Sequence, residues 1–241
     1  MIIAKLLLQF LKAPYADPHP LEISLLRKIG LLLKLALTYL VLTIFLLIIC
    51  AISYAIIHSL GIHFHIHGKN EVNPDNVYAA LGKYTLLITG VFGPLIEESI
   101  FRLPLSFRKR DVSISFFVIM GIMIWHFSKT HHWVIAALAL MISCLFYFLV
   151  LGRKNIVVTM KITTRTGNYL VYISMVTFAL FHLTNFSHFD FHDILFYLIF
   201  ITPVFIGTVL ITFCRMKLGF FYGIFFHSMV NVFVYGIMIR H

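Results

Sequence analysis

Apolar residues in this chain come in long runs broken by short polar stretches, not in the one-faced periodicity of helices that pack in water. A helix needs roughly 20 apolar residues to cross a hydrocarbon core. Seven stretches meet or approach that length: 35–58, 84–106, 113–128, 132–151, 167–186, 194–214 and 218–239. The third is the weakest. The pattern predicts an all-α protein, a polytopic transmembrane helix bundle of about seven spans. Ahead of it, MIIAKLLLQFLKA is apolar with two lysines and too short to span, and a proline-rich link (Pro14, Pro18, Pro20) follows. That combination reads as a helix lying in the membrane interface. A signal peptide is the competing reading, but no small-residue cleavage pattern follows the apolar run, so the segment is expected to stay in the mature chain.

Between the first two spans, residues 59–83 hold Gly61, Gly68, Asn70, Asn73, Pro74, Asp75 and Asn76, the composition of a loop. No loop exceeds about 25 residues, so a single membrane domain without a soluble one is expected. It divides into an interfacial segment and linker (1–28), a first transmembrane helix with its external loop (29–84), and a core (85–237).

Composition agrees: 61% of the 241 residues are hydrophobic and 12% charged, outside the range of water-soluble domains. The net charge of +10 raises nucleic acid as a partner, and the placement of the basic residues argues against it. Lys5, Lys12, Arg27, Lys28, Lys34, Arg108, Lys109, Arg110, Arg153, Lys154, Lys161, Arg165, Arg215 and Lys217, 14 of the 19, fall on alternate sides of successive spans and so on one side of the membrane. Only Lys69, Lys83, Lys129 and Arg240 fall opposite, and Arg102 lies within a span. The positive-inside rule then predicts a cytoplasmic N-terminus, seven crossings and an external C-terminus, in a multi-pass protein of the cell membrane. The lipid bilayer is the expected partner, and no nucleic acid. Cys50, Cys144 and Cys214 lie in apolar spans without paired spacing, so neither a disulfide framework nor a CxxC metal site is expected.

Seven of the nine acidic residues lie in loops or at span ends, and Glu97 and Glu98 alone are embedded. Insertion scales charge roughly 2.5–3.5 kcal/mol for a central Asp, so buried acids usually pair or do a job. In GPLIEESIFR, Glu98 and Arg102 are four apart and share a helical face, as a charge-assisted pair would. Glu97 points about 100° away and has no cation built into its helix. It can serve as a general base once a water and a His are in reach. Gly93 and Pro94 just before are expected to kink the helix. The alternative is that all three charges form a buried salt-bridge knot.

Two further polar positions sit in apolar spans. His182, in FALFHLTNF, has Phe178 one turn earlier. Alone it reads as readily as a hydrogen-bonded structural histidine. His227 and Asn231, in FFHSMVNVF, share a helical face and can hold a carbonyl oxygen that becomes negative, or else hydrogen-bond a neighbouring helix. Gly219 and Gly223 form a GxxxG before them, a packing signal.

In chain order these clusters read EExxxR, FxxxH and HxxxN, and in that combination the chain resembles the CPBP family of intramembrane proteases (CAAX protease and bacteriocin-processing, or Abi), related to type II CAAX prenyl endopeptidases. Matching residues are Glu97, Glu98 and Arg102; Phe178 and His182; and His227 and Asn231, over roughly residues 85–237. The resemblance implies that Glu97 activates water with help from His182, that His227 and Asn231 form the oxyanion hole, and that the substrate is a membrane-associated or lipidated peptide. Family members were long called metalloproteases, but a metal-free glutamate mechanism without a cofactor is preferred here over zinc. A zinc reading would need His182, His227 and a glutamate to converge, and the chain has no HExxH pair. Two other classes stay open: a non-catalytic immunity or scaffold protein of the same fold, and proton or ion transport.

Depth tests whether the clusters can meet. At about 1.5 Å per residue, Glu97 lies about 21 Å inward from Lys83 and His182 about 12 Å inward from Asp190, a mismatch near 9 Å. Of the 13 histidines, nine (His58, His63, His65, His67, His131, His132, His188, His192, His241) fall at external loops or ends, where solvated or interfacial roles are expected ahead of a metal site.

Overall fold

Backbone amides in hydrocarbon must be satisfied within their own segment, and helices do this where apolar runs are long. The computed structural model describes residues 2–16, 20–59, 84–146, 149, 162–185 and 194–238, and among them helix is the regular element. The His63, His65 and His67 run, Arg153, Lys154, Lys161 and Asp190 lie outside the described residues.

In chain order the helices are α1 (Ile2–Lys12), α2 (Leu25–Ser59), α3 (Thr85–Leu87), a π-helical turn (Ile88–Phe92), α4 (Gly93–Phe101), a 3-10 turn (Leu103–Ser106), α5 (Lys109–Lys129), α6 (Trp133–Phe146), α7 (Thr164–Phe181) with a 3-10 turn (His182–Asn185), α8 (Ile194–Lys217) and α9 (Phe220–Met238). Three of these are long and apolar enough to cross a membrane, over Leu25–Ser53, Lys109–Lys129 and Tyr197–Lys217. Trp133–Leu145 and Phe220–Phe233 are shorter apolar helices. The stretch that looked weakest, 113–128, belongs to one of the three, because the helix starts at Lys109 and carries Asp111 in its first turn. An acid there suits the positive end of the helix dipole.

Leu33, Leu37, Phe45 and Leu47 on α2 are all more than half exposed, an apolar surface compatible with a helix that crosses a membrane. The buried core runs instead between α2, α7, α8 and α9, through Leu35, Val171, Met175, Leu210, Phe213, Cys214 and Phe226.

The N-terminal segment, expected as a helix in the membrane interface, packs against that core. Phe10 is buried against Phe213, ring edge to face at 5.4 Å. The Tyr172 hydroxyl donates to the Leu11 carbonyl at 2.6 Å, and the Tyr15 amide donates to Asn168 Oδ1 at 2.7 Å. Leu21 N–H donates to Lys217 O at 2.7 Å. Tyr15 also stacks edge-on against Phe107 at 5.0 Å. The link after α1, the turn before α5, the start of α7 and the end of α8 therefore share one end of the bundle.

Gly167 makes this docking feasible, since a Cβ there would stand 2.1–2.7 Å from three atoms of the Tyr15 ring. Gly167→Val is expected to expel Tyr15 and speed limited proteolysis between residues 13 and 24 several-fold in detergent. A cleavage rate equal to wild type would mean that the ring does not hold the segment.

Candidate functional site

The glutamates sit on α4, and the backbone before them explains how the helix reaches its neighbours. Gly93 donates its amide to Ile88 O, five residues back, where an α-helix would use Thr89 O. Pro94 has no amide to offer. Thr89 O instead accepts from Asn231 Nδ2 at 3.0 Å, so α9 is tied to the π-helical turn. The kink expected at Gly93 and Pro94 is thus a π-helical turn ending on them. Gly90 lets α9 come close, since a Cβ there would lie 2.7 Å from Val232 Cγ2.

Below the turn, Glu98 and Arg102 form the expected pair. Arg102 Nη1 donates to Glu98 Oε1 at 2.6 Å, and both side chains are fully buried. Three more elements close on the guanidinium. Its Nε donates to Thr212 Oγ1 on α8 at 3.2 Å, and Thr212 passes its own proton to Thr208 O at 2.7 Å. Its plane lies over the Phe178 ring of α7 with Cζ 3.9 Å from the centroid, a desolvated cation–π contact. The α4 backbone is held from two sides, by Ser115 of α5 on Ser99 O and by Ser174 of α7 on Phe101 O at 2.6 Å.

His227 of α9 stands between the acids. Its Nδ1 is 3.0 Å from Glu98 Oε1 and its Nε2 3.4 Å from Glu97 Oε2. A neutral imidazole has one N–H, so both contacts are favourable only if His227 is imidazolium or Glu97 carries the proton. Either way the group of Glu97, Glu98, Arg102 and His227 is neutral overall.

Glu97 differs from its neighbour in access, its side chain being 27% exposed where that of Glu98 is 0%. Glu97 Oε2, Glu98 Oε2 and Arg102 Nη2 are buried atoms without a protein hydrogen-bond partner. Buried polar atoms left open in this way are uncommon and are a feature of sites that engage water or a ligand.

Among the described residues no hydrogen bond or ion pair joins His182 to Glu97. It opens the 3-10 turn after α7, and its Nδ1 donates to Phe178 O at 3.0 Å. A carbonyl can only accept, so Nδ1 carries the hydrogen and Nε2 is left uncommitted to Phe178. The ring packs on Phe178 at 4.7 Å, and Phe178 in turn meets His227 at 5.7 Å. The Phe178 ring is therefore where all three sequence clusters meet. Lys83 and Asp190, from which the depths were counted, lie outside the described residues, but the described parts of both segments depart from straight α-helix. A π-helical turn interrupts the first, and the second changes to 3-10 geometry at His182.

Asn231 and His227 share a face of α9 as expected, but their donors are partly spent, Asn231 on Thr89 O and His227 on the glutamates. Thr212 escaped notice in the sequence. The pairing of Thr208 with Thr212, four apart and both fully buried in an apolar helix, was the signal available. Thr212→Val, nearly isosteric, should cost about 1–3 kcal/mol by leaving the Arg102 Nε–H buried without an acceptor, and Thr212→Ser should restore most of it. Unfolding in detergent measures both. Equal loss in the two variants would locate the effect in packing.

Among the described residues no group of three or more His, Cys, Asp or Glu side chains is disposed to hold a metal ion. No family model, curated protein or solved structure matches this chain.

Proposed function

We propose that this protein is an intramembrane endopeptidase of the CPBP type, a multi-pass protein of the cell membrane that hydrolyses a peptide bond in a membrane-associated or lipidated peptide. The observation that carries the reading is the asymmetry of the two acids. Glu98 is locked by Arg102 and His227, while Glu97 remains partly accessible with one buried oxygen uncommitted and an imidazole 3.4 Å away.

In this mechanism Glu97 starts as the carboxylate and His227 as the imidazolium. Glu97 takes a proton from water, and the hydroxide attacks the peptide carbonyl. Its oxygen becomes an anion, stabilised by the Nε2–H of His227 and the second N–H of Asn231. The proton held on Glu97 then passes to the leaving amine. His227 takes the place beside the base that the family resemblance gave to His182. His182, with Nδ1 spent on Phe178 O, offers its Nε2 to water or to a substrate N–H. Arg102 and Thr212 position Glu98 and so the imidazole.

Seven crossings with a cytoplasmic N-terminus belong to the same reading. They are supported by the gathering of the link after α1, the turn before α5, the start of α7 and the end of α8 at one end of the bundle, where the basic loops were expected to collect.

The deciding experiment compares membrane-associated peptides in cells carrying wild type and Glu97→Gln. Cleavage products present only with wild type support hydrolysis. An unchanged peptide pool would point to a non-catalytic immunity or scaffold protein.

A further inference from the structure

The turn between α5 and α6 gathers side chains that the glutamate site does not use. Trp125, Ser128, Lys129, His131 and Trp133 line an open cleft of about 380 Å³. The chain has two tryptophans, and both stand here, 66% and 60% exposed. The cleft lies where the membrane-length helix Lys109–Lys129 ends and the apolar helix from Trp133 begins, which on the multi-pass reading is a boundary between hydrocarbon and water. Indoles favour that level, where the ring meets apolar surface and the N–H meets polar groups.

Donors predominate among the side chains at the turn. The last carbonyls of α5 are already taken: His132 N–H donates to Phe127 O at 2.8 Å, His131 N–H to Ser128 O at 3.4 Å and Thr130 N–H to His126 O at 3.0 Å. These bonds make a Schellman cap with His131 at φ 60°, a left-handed position that glycine ordinarily fills. The conformation turns the imidazole against Trp133, ring centroids 6.0 Å apart. The cleft is left with donors: the Lys129 ammonium, the Ser128 hydroxyl, the two indole N–H groups and a nitrogen of His131. No Asp or Glu is among the residues lining it.

A cation with convergent donors and no acid selects an anion, and flanking indoles at a membrane boundary select one that carries an apolar tail. We infer that this cleft binds the phosphate of a phospholipid headgroup, with Lys129 paired to a phosphate oxygen and Trp125 and Trp133 flanking the glycerol backbone. A soluble phosphate would leave both indoles and the 73%-exposed Val134 beside them uncovered.

Tryptophan emission reports on this cleft alone. The full chain is reconstituted in vesicles of a phosphate-free glycosyl diacylglycerol doped with a small fraction of dibrominated phosphatidylglycerol. Wild type is expected to be quenched several-fold more than the bulk fraction of brominated lipid dictates. Lys129→Gln should fall to the bulk level and Lys129→Arg should retain the enrichment; both change an exposed side chain, and circular dichroism checks that each stays folded. Equal quenching of wild type and Lys129→Gln overturns the inference. So does relief of wild-type quenching by millimolar inorganic phosphate, which would assign the cleft to soluble phosphate.

Discussion

Glu97→Gln should abolish peptide hydrolysis, lowering the rate by at least about 100-fold, because general-base catalysis contributes roughly 10²–10⁴-fold and the carboxamide cannot accept a proton from water. The substitution is nearly isosteric. Glu97 Oε2 has no hydrogen-bond partner in the protein, so its replacement removes no hydrogen bond from the bundle. Among the described residues its ion-pair partner is His227 at 3.4 Å, and the tighter His227 contact to Glu98 at 3.0 Å stays in place. Activity should therefore disappear while unfolding in detergent shifts little. The proper assay is cleavage of whichever membrane peptides differ between wild-type and variant cells, repeated with purified protein in vesicles. Retained hydrolysis by the Gln variant would sink the glutamate mechanism outright. Loss of activity together with loss of fold would be uninformative in Gln alone, so Glu97→Asp serves as the second variant: it keeps the charge and retracts the base, and should be folded and slow.

The largest loss of stability is expected on the other acid. Arg102→Met leaves Glu98 charged and fully buried with His227 as its remaining partner, and breaking a buried pair from one side costs about 3–5 kcal/mol. Glu98→Leu leaves the guanidinium on Thr212 and the Phe178 face, without a carboxylate at bonding distance, and should cost a similar amount. The double variant Glu98→Leu with Arg102→Met removes both charges and should recover most of the loss, since no uncompensated ion remains. The measurement is unfolding in mixed detergent micelles for the four members of the cycle. Additive single losses would mean that the two residues do not act as a pair. Recovered stability without recovered hydrolysis would separate their positioning role from their structural one.

Reading the Glu98–Arg102 contact from the sequence worked because an i, i+4 spacing on a helix is local geometry, needing only that the segment be helical. His227 and Asn231 were legible for the same reason, as a pair on one face of one helix. Which of them meets Glu97 was not legible, because that depends on the rotation and depth of α9 against α4. Both are set by the π-helical turn and by the absence of a side chain at Gly90. Thr212 was hidden in an apolar helix where a threonine looks inert, and only the approach of Arg102 gives it work. The docking of the N-terminal segment was hidden for a related reason. A short apolar helix with two lysines fits an interface by composition, whereas the notch at Gly167 and the hydrogen bonds from Tyr15 and Tyr172 place it against the bundle.

By itself, then, the sequence determined that this chain is helical, that its apolar runs are long enough for a membrane, and that a few embedded polar residues sit at fixed intervals along their helices. Those properties follow from hydrophobic run length and from the 3.6-residue turn, which act within one segment. The tertiary structure alone decided that Phe178 is the ring on which Arg102, His182 and His227 meet, that His227 lies between the two glutamates, and that Glu97 is the acid left accessible. These are relations between segments far apart in the chain. They are fixed by where helix geometry departs from the regular α form and by which small residues let two backbones touch.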